Sequence, residues 1–125
     1  MKRELVFVLG ASNKPTRTSN QAIKMLKEYG HKTVLINPKI DKIDGEKTFK
    51  SISEAQEAYG SPDTLTLYVK EEISDNLAES ILLLKPKRII FNPGSENLSL
   101  QLMLVQQDIN FEESCTLVLL STDQF

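Results

Sequence analysis

The segment from Leu5 to Ser19 constrains the fold more than any other part of the chain. Residues Leu5–Leu9 are all apolar, which is typical of a central parallel strand that is buried on both faces. Gly10 ends this run, and a small polar loop leads to Ser19, where a helical pattern begins. The sequence therefore predicts a strand, a tight turn and a helix in direct succession.

The rest of the chain repeats this alternation. Further strands are predicted at residues 33–36, 64–69 and 88–91, with a short one around Phe111. Helices are predicted at residues 19–29, 53–59, 73–84 and 98–109. Expected N-caps are Thr18 or Ser19 for the first helix, Ser51 or Ser53 for the second and Asn97 for the last, with Gly30 as a C-cap. The apolar run at residues 117–120 fits either a helix or a strand.

Alternating strands and helices predict an α/β fold, because parallel strands need helical crossovers between them. We expect residues 1–125 to form one domain, a Rossmann-like three-layer sandwich with helices on both faces of the sheet. With five parallel strands, the expected strand order is 3-2-1-4-5. Ligands of such sheets bind beyond the carboxyl ends of the strands, where the order reverses. This rule selects four loops that follow predicted strands as candidate sites, at residues 10–19, 37–39, 69–70 and 92–96.

Composition limits the classes of partner. The net charge is −2 and the isoelectric point is near 5.4, which argues against a nucleic-acid binder. Residues 1–50 hold eleven Lys and Arg against five acids, whereas residues 51–125 hold four against twelve. No apolar run is long enough to cross a bilayer, so no membrane partner is expected. The single cysteine, Cys115, fits a cytoplasmic protein and is expected to be buried, and His31 is expected at the surface.

The loop after the first strand has the properties of a phosphate site. A helix N-terminus offers backbone N–H groups and the positive end of its dipole to an anion. Gly10 allows close approach of the backbone, Ser12 and Ser19 supply hydroxyl groups, Arg17 supplies a guanidinium group, and Lys14 adds a charge. The loop lacks the glycine fingerprint of ordinary dinucleotide folds, since Ala11, Ser12, Asn13 and Pro15 stand in its place.

The loop after the second strand narrows the class of ligand. Folds that bind NAD usually place Asp or Glu here, to hold the ribose hydroxyls. This chain has Asn37, Pro38 and Lys39 instead, and a lysine attracts a phosphorylated ribose. Both NADP and coenzyme A carry such a phosphate, so at this point both ligands fit.

Two further loops complete the candidate site. Tyr68 and Val69, at the end of the third predicted strand, could offer apolar surface to an adenine ring. Asn92, Pro93 and Gly94, after the fourth, could bring bare backbone close to the ligand or could form a structural turn.

Taken together, these motifs resemble the small stand-alone CoA-binding proteins, which are related to the N-terminal domain of the succinyl-CoA synthetase alpha subunit. The resemblance covers essentially the whole chain. It is carried, in order, by Gly10-Ala11-Ser12 with Pro15 and Arg17, Asn37-Pro38-Lys39, Leu67-Tyr68-Val69, Phe91-Asn92-Pro93-Gly94 and Cys115-Thr116-Leu117-Val118.

The resemblance implies a Rossmann fold with coenzyme A bound across the switch point. The same resemblance implies that Gly10, Ser12, Arg17 and Ser19 hold phosphates and that Lys39 holds the phosphorylated ribose. Tyr68 and Val69 would flank the adenine, while residues 92–94 would line the remaining path.

Ligase chemistry is not implied, because nothing corresponds to the phosphorylated-histidine domain of the synthetase or to its nucleotide-binding subunit. We therefore expect a module that binds coenzyme A or an acyl-CoA without catalysis of its own, as a carrier or sensor. Two alternatives stay open: an NADP-dependent oxidoreductase, and an interaction protein with a vestigial site that acts through a partner or as a homo-oligomer.

Overall fold

A computed structural model describes residues 2–125 and has one seven-stranded sheet with six helices around it. The strands are β1 (Leu5–Leu9), β2 (Lys32–Ile36), β3 (Lys42–Ile43), β4 (Glu46–Phe49), β5 (Thr64–Leu67), β6 (Arg88–Phe91) and β7 (Asn110–Glu113). The helices are α1 (Thr18–Glu28), α2 (Ile52–Tyr59), α3 (Glu71–Asn76), α4 (Ala78–Leu84), α5 (Leu98–Gln106) and α6 (Thr116–Ser121). The α/β class, the five expected strands and the expected helical regions are confirmed.

The expected five-stranded sheet and its order are wrong. The observed order is β3-β4-β2-β1-β5-β6-β7, in which only the β3–β4 pair is antiparallel. The third predicted strand, β5, pairs with β1 and not with the far side of β2, where β4 lies instead. The short hairpin of β3 and β4 was not predicted, so β5, β6 and β7 are the strands expected as the third, fourth and fifth. Counted over the parallel strands alone, the order is 3-2-1-4-5-6, and it reverses between β1 and β5.

Two apolar layers enclose the sheet. Alternate residues of the central strands point to opposite faces, as in any pleated strand. On one face Phe7 and Leu9 pack with α2, α4 and α5, and on the other Val6 and Val8 pack with α1 and α6. In the registers of β1 with its neighbours, Leu9 lies opposite Ile36 and Leu67. The three strands therefore end at one level, and their loops meet there.

The ends of α1 differ in how well the sequence predicts them. The C-cap at Gly30 is confirmed, because Gly30 has the left-handed φ of +88° that ends a helix. Its N–H donates to the Lys27 carbonyl, and the N–H of His31 donates to the Leu26 carbonyl. The N-cap prediction is wrong, because Thr18 is already helical and Arg17 precedes it without a side-chain cap. Ser51 and Asn97 do cap α2 and α5.

His31 is buried and not at the surface as expected. It is 4% exposed, and its Nδ1 accepts a hydrogen bond of 3.0 Å from the backbone N–H of Glu4. Its ring packs against Phe125, with 5.0 Å between the ring centroids. Burial lowers the pKa of this imidazole, which favours its neutral form.

Two smaller predictions also need correction, and one open alternative is decided. The helix expected at residues 73–84 is two helices that meet at Leu77, whose N–H bonds both Ile73 and Ser74 carbonyls. The undecided run at residues 117–120 is part of α6. Cys115, expected to be buried, is partly exposed just before α6.

Candidate functional site

The cavity at the carboxyl ends of β1 and β5 lies at the point where the strand order reverses. Its volume is about 470 Å³, which is within the usual range of small-molecule sites. Four loops and the first turn of α1 form its wall. The lining residues are Gly10, Ala11, Ser12, Asn13, Lys14, Arg17, Thr18, Ser19, Asn37, Lys39, Ile40, Tyr68, Val69, Lys70, Pro93, Gly94 and Ser95.

Eleven of the thirteen residues predicted from the sequence line this one cavity. The two that do not are Pro38, which is exposed on the loop after β2, and Asn92, which is 1% exposed. Because parallel strands end at a common edge, loops distant in sequence meet here. Contact of these residues with a ligand stays a prediction.

Gly10 is required by the packing of two loops against each other. Its φ is +88°, and a Cβ atom at this position would lie 2.7 Å from the carbonyl oxygen of Tyr68. Only glycine fits so close a contact in that conformation. The first strand can therefore turn directly beside the end of β5, and this turn opens the cavity.

The first turn of α1 reaches the cavity without a side-chain cap. Thr18 and Ser19 both line it, and Arg17 precedes them in extended conformation. The loop before the helix is held by Asn20, whose amide donates to the Ser12 carbonyl at 2.8 Å, and by the Ser12 hydroxyl, which accepts from the Lys14 N–H. An uncapped helix N-terminus in a preformed loop favours an anion.

Asn37 ties the second loop to the first. Its amide nitrogen donates to the Ala11 carbonyl at 2.8 Å, and its amide oxygen accepts from the Lys39 N–H at 2.8 Å. Both ends of this side chain are thus engaged within the protein. The geometry makes Asn37 a positioning residue that fixes the backbone of Lys39 beside the loop after β1.

Tyr68 and Val69 follow the end of β5 and pack on opposite faces of the sheet. Both are partly buried and both line the cavity. The Tyr68 hydroxyl is buried beside Thr66 and Thr116, and it makes no hydrogen bond of good geometry within the described residues. Burial raises the pKa of Tyr68 to about 12, so the phenol stays protonated at neutral pH.

Asn92 holds together the ends of three elements beneath the cavity. Its amide nitrogen donates to Thr66 Oγ1 at 2.7 Å and to the Leu67 carbonyl at 2.9 Å. Its amide oxygen accepts from the Thr116 N–H at 2.9 Å, at the start of α6. These bonds use both ends of a buried side chain, which favours a positioning role for Asn92.

The electrostatics of the cavity are one-sided. Lys14, Arg17, Lys39 and Lys70 line it, and no Asp or Glu is among the lining residues. None of the four cations forms an ion pair within residues 2–125. A carboxylate lies next to this lining, because Glu96 accepts from the Gly94 N–H at 2.9 Å. Four cations from three loops still exceed it and suit a ligand with several negative charges.

Six further residues line the cavity. Five of them lie in the loops that the rule on strand ends selected, although no ligand contact was assigned to them: Asn13, Lys14, Thr18, Lys70 and Ser95. Ile40 is the one lining residue outside those loops, because it lies just beyond the three residues after the second strand that the sequence indicated.

Other kinds of site have little support in the described chain. No group of three or more metal-ligating side chains occurs within residues 2–125. None of its helices has the length and apolar character needed to span a membrane.

Comparison with known families gives one match over nearly the whole chain. The model of a family described as the CoA binding domain matches residues 4–121. Among curated proteins, YneT of Bacillus subtilis, an uncharacterized protein, is 30% identical over 77 residues. That alignment covers 62% of this chain and 55% of YneT, so it spans about half the length of that relative.

Solved structures share the fold. The crystal structure of one uncharacterized protein is 32% identical, with a TM-score of 0.88 and full coverage of both chains. A dinucleotide-forming acetyl-coenzyme A synthetase from Ca. Korarchaeum cryptofilum is 23% identical, with a TM-score of 0.65. The match covers 82% of this chain but only 23% of the synthetase, and at this identity it shows the fold alone.

Proposed function

The chain belongs to the CoA binding domain family, and from this premise we propose that it binds coenzyme A or an acyl-CoA in the cavity at the ends of β1 and β5. The observation that carries the proposal is the set of four cations around a cavity whose lining, within residues 2–125, includes no carboxylate. Coenzyme A has a diphosphate and a ribose phosphate, which together need several positive partners.

In the proposed complex, the diphosphate lies against the loop after β1. Ser12 and the first turn of α1 offer hydroxyls and backbone N–H groups there, and Arg17 offers a two-pronged donor. Gly10 lines the same loop, but its own N–H already donates to the Ile36 carbonyl at 3.1 Å. This arrangement uses the uncapped N-terminus of α1, whose dipole stabilises negative charge.

The ribose phosphate is assigned to Lys39. Asn37 holds the backbone of this residue, while its side chain is exposed and free of an ion pair in the described chain. A flexible ammonium group on a fixed backbone can follow a phosphate at the cavity rim. The adenine is assigned to the apolar surface of Tyr68 and Val69, and the pantetheine arm to the backbone at Pro93 and Gly94.

We assign this module the role of a carrier or sensor without catalysis of its own. The lining residues supply ammonium, guanidinium, hydroxyl and backbone N–H groups, which bind phosphate. Tyr68 also lines the cavity, and its raised pKa keeps the phenol protonated near neutral pH. The phenol can therefore donate a hydrogen bond but cannot act as a base.

Calorimetry with coenzyme A, 3′-dephospho-CoA, acetyl-CoA, NADPH and NADH tests the proposal. We expect coenzyme A to bind roughly tenfold more tightly than its dephospho form, as one charge-assisted phosphate contact contributes about 1.5 kcal/mol. Lys39→Ala should remove that preference. Lys42→Ala is the matched control, because Lys42 is exposed on β3 outside the cavity.

Two outcomes overturn the proposal. Binding of NADPH without binding of any coenzyme A species would favour an oxidoreductase. No binding of any of these ligands by a folded protein would favour an interaction protein with a vestigial site.

A further inference from the structure

The backbone of β7 leaves hydrogen-bonding groups free at one edge of the sheet. The Ser114 N–H donates to the Phe91 carbonyl of β6 at 3.1 Å, and alternate residues of a parallel strand bond the same neighbour. The N–H and C=O groups of Phe111 and Glu113 therefore point away from β6. No further strand lies beyond β7 in the part of the chain that the structure describes. An edge of this kind can pair with a strand of another chain.

Helix α5 adds an apolar surface beside this edge. Its residues Leu98, Leu102 and Val105 are 70%, 59% and 63% exposed, and we call these three side chains the α5 stripe. On a helix with 3.6 residues per turn, Gln101 falls between the buried face and the stripe. The Gln101 amide donates to the Glu113 carboxylate of β7 at 2.9 Å, so the stripe lies on the side of α5 toward the β7 edge.

A second copy of this chain can supply the missing strand in one register. A twofold axis makes two β7 strands antiparallel, and the outward groups of Phe111 and Glu113 can then meet in three ways. If Glu113 pairs with Glu113, two acids are directly opposite each other. If Phe111 pairs with Glu113, Glu112 lies opposite Glu112 in the same way. Like charges directly opposite each other destabilise a sheet.

The third register opposes no two acids of β7. When Phe111 pairs with Phe111, Glu112 lies opposite Asn110 of the second copy, and Glu113 lies opposite Ile109. The central pair is then aromatic, which favours the pairing of strands.

The charges at the amino ends of the strands have both signs. A cavity of about 640 Å³ opens there, and four cations and three acids line it. The cations are Lys2, Arg3, Lys87 and Arg88, and the acids are Glu4, Asp63 and Glu112. Glu4 and Asp63 already form ion pairs, with Arg88 and Lys87 respectively. Lys2 and Arg3 form no ion pair within residues 2–125, so positive charge is in excess.

The third register brings an acid to this positive charge. Asn110 also lines the cavity, and Glu112 of the second copy lies opposite Asn110 on the same face of the sheet. Four acids then lie beside the four cations. The twofold axis produces the same match at the cavity of the other copy. Complementary charges of this kind favour association and specify the register.

We propose that the protein forms a twofold dimer, in which the two β7 strands pair antiparallel with Phe111 opposite Phe111 and the two α5 stripes pack against each other. Because the axis runs perpendicular to the paired strands, both α5 helices lie on the same face of the continuous sheet. The Phe111 side chains lie on that face as well, since Phe111 packs against the same core cluster as Leu100 and Leu104 of α5. This surface is separate from the proposed coenzyme A cavity, whose lining includes no residue of α5 or β7.

Analytical ultracentrifugation over a series of protein concentrations tests the assembly. We expect an equilibrium between monomer and dimer. Leu102→Asp should raise the dissociation constant of the dimer about tenfold or more, because it places a charge in a central apolar contact of both copies. Val118→Asp is the matched control and should leave this constant unchanged, since Val118 is 55% exposed on α6, on the other face of the sheet.

Circular dichroism and thermal denaturation should show that both variants keep the fold of the unsubstituted protein. A protein that stays monomeric at every concentration overturns the proposal. A dimer that is equally stable with Leu102→Asp does so too.

Disulfide cross-linking tests the register. Asn110→Cys and Glu112→Cys are made as separate variants, each with Cys115→Ser. The proposed register places positions 110 and 112 directly opposite each other, with Cα atoms about 4.5 Å apart, which a disulfide can span. A mixture of the two variants should therefore form a cross-linked dimer on mild oxidation, and each variant alone should form much less. Cross-linking of Glu112→Cys alone to the same extent as the mixture would contradict the proposed register.

Discussion

At the scale of single residues, Gly10 has a packing role that its sequence context does not predict. Its neighbourhood predicts a glycine that lets a ligand approach the backbone, and the structure adds that the Tyr68 carbonyl lies where a Cβ atom of this residue would be. Gly30 has the same φ of +88° but open space where a Cβ atom would be. The two glycines thus separate the effect of backbone conformation from that of close packing.

We expect Gly10→Ala to destabilise the protein much more than Gly30→Ala. Both changes force alanine into a left-handed conformation, at a cost of about 1 kcal/mol. Gly10→Ala also drives a methyl group into a backbone carbonyl, which should add roughly 2 kcal/mol or more. Urea denaturation of both variants measures the difference. Equal losses of unfolding free energy would show that the β1 turn can relax around the added group.

At the scale of elements, two helix caps that look alike in the sequence have different surroundings. Ser51 accepts from the Glu54 N–H at 3.1 Å on a partly exposed turn. Asn97 accepts from the Leu100 N–H at 3.0 Å and is 1% exposed. Its amide nitrogen also donates to Ser74 Oγ and to an Asp75 carboxylate oxygen, both at 2.8 Å. Asn97 therefore joins α5 to α3 beside the cavity.

We expect Asn97→Ala to cost about 3 kcal/mol of unfolding free energy, because it removes a cap and leaves buried partners without hydrogen bonds. Ser51→Ala, which removes only a cap, should cost about 1 kcal/mol. Thermal or chemical denaturation of the two variants gives the comparison. Similar losses for both would mean that α3 and α5 are not coupled through this side chain.

At the scale of the whole molecule, the charge asymmetry of the sequence becomes a separation in space. The basic first half forms β1 to β4, toward one edge of the sheet, and the acidic second half forms β5 to β7, toward the other. The cavity lies where the halves meet, and cations from three loops line it. The electrostatic potential in the cavity therefore has contributions from many charged residues. It depends on the distance over which each charge acts before dissolved ions screen it.

We expect coenzyme A to bind about tenfold more weakly at 0.5 M salt than at 0.02 M, because the screening length shortens severalfold over this range. Arg17→Ala should reduce both the affinity and its dependence on salt, since one of the four cations is lost. Calorimetric titrations across a salt series measure both quantities. An affinity that does not change with salt would mean that apolar contacts dominate binding.

Local patterns in the sequence determined most of the elements and most of the candidate site. An apolar run followed by Gly10 and a polar loop is sufficient to predict β1 and the turn after it, because these features depend on neighbours in the chain. The loops that line the cavity could likewise be predicted, since strand ends in a parallel sheet share one edge. This is why Lys39, Tyr68 and Gly94 line the same cavity, as predicted from positions far apart in the sequence.

The tertiary structure alone decided the features that depend on distant partners. The strand beside β1, opposite β2, is β5, because the short β3–β4 hairpin takes the position beyond β2. This hairpin was not predicted, since strands of two and four residues leave little signal in a sequence. His31 is buried because Glu4 and Phe125, at opposite ends of the chain, meet around it. Leu98, Leu102 and Val105 predict the helix correctly but not the direction they face, which follows from how α5 packs on the sheet. The periodicity of apolar residues encodes the local conformation of the chain. Contacts between residues that are remote in sequence decide the order of the strands and which side chains are buried or exposed.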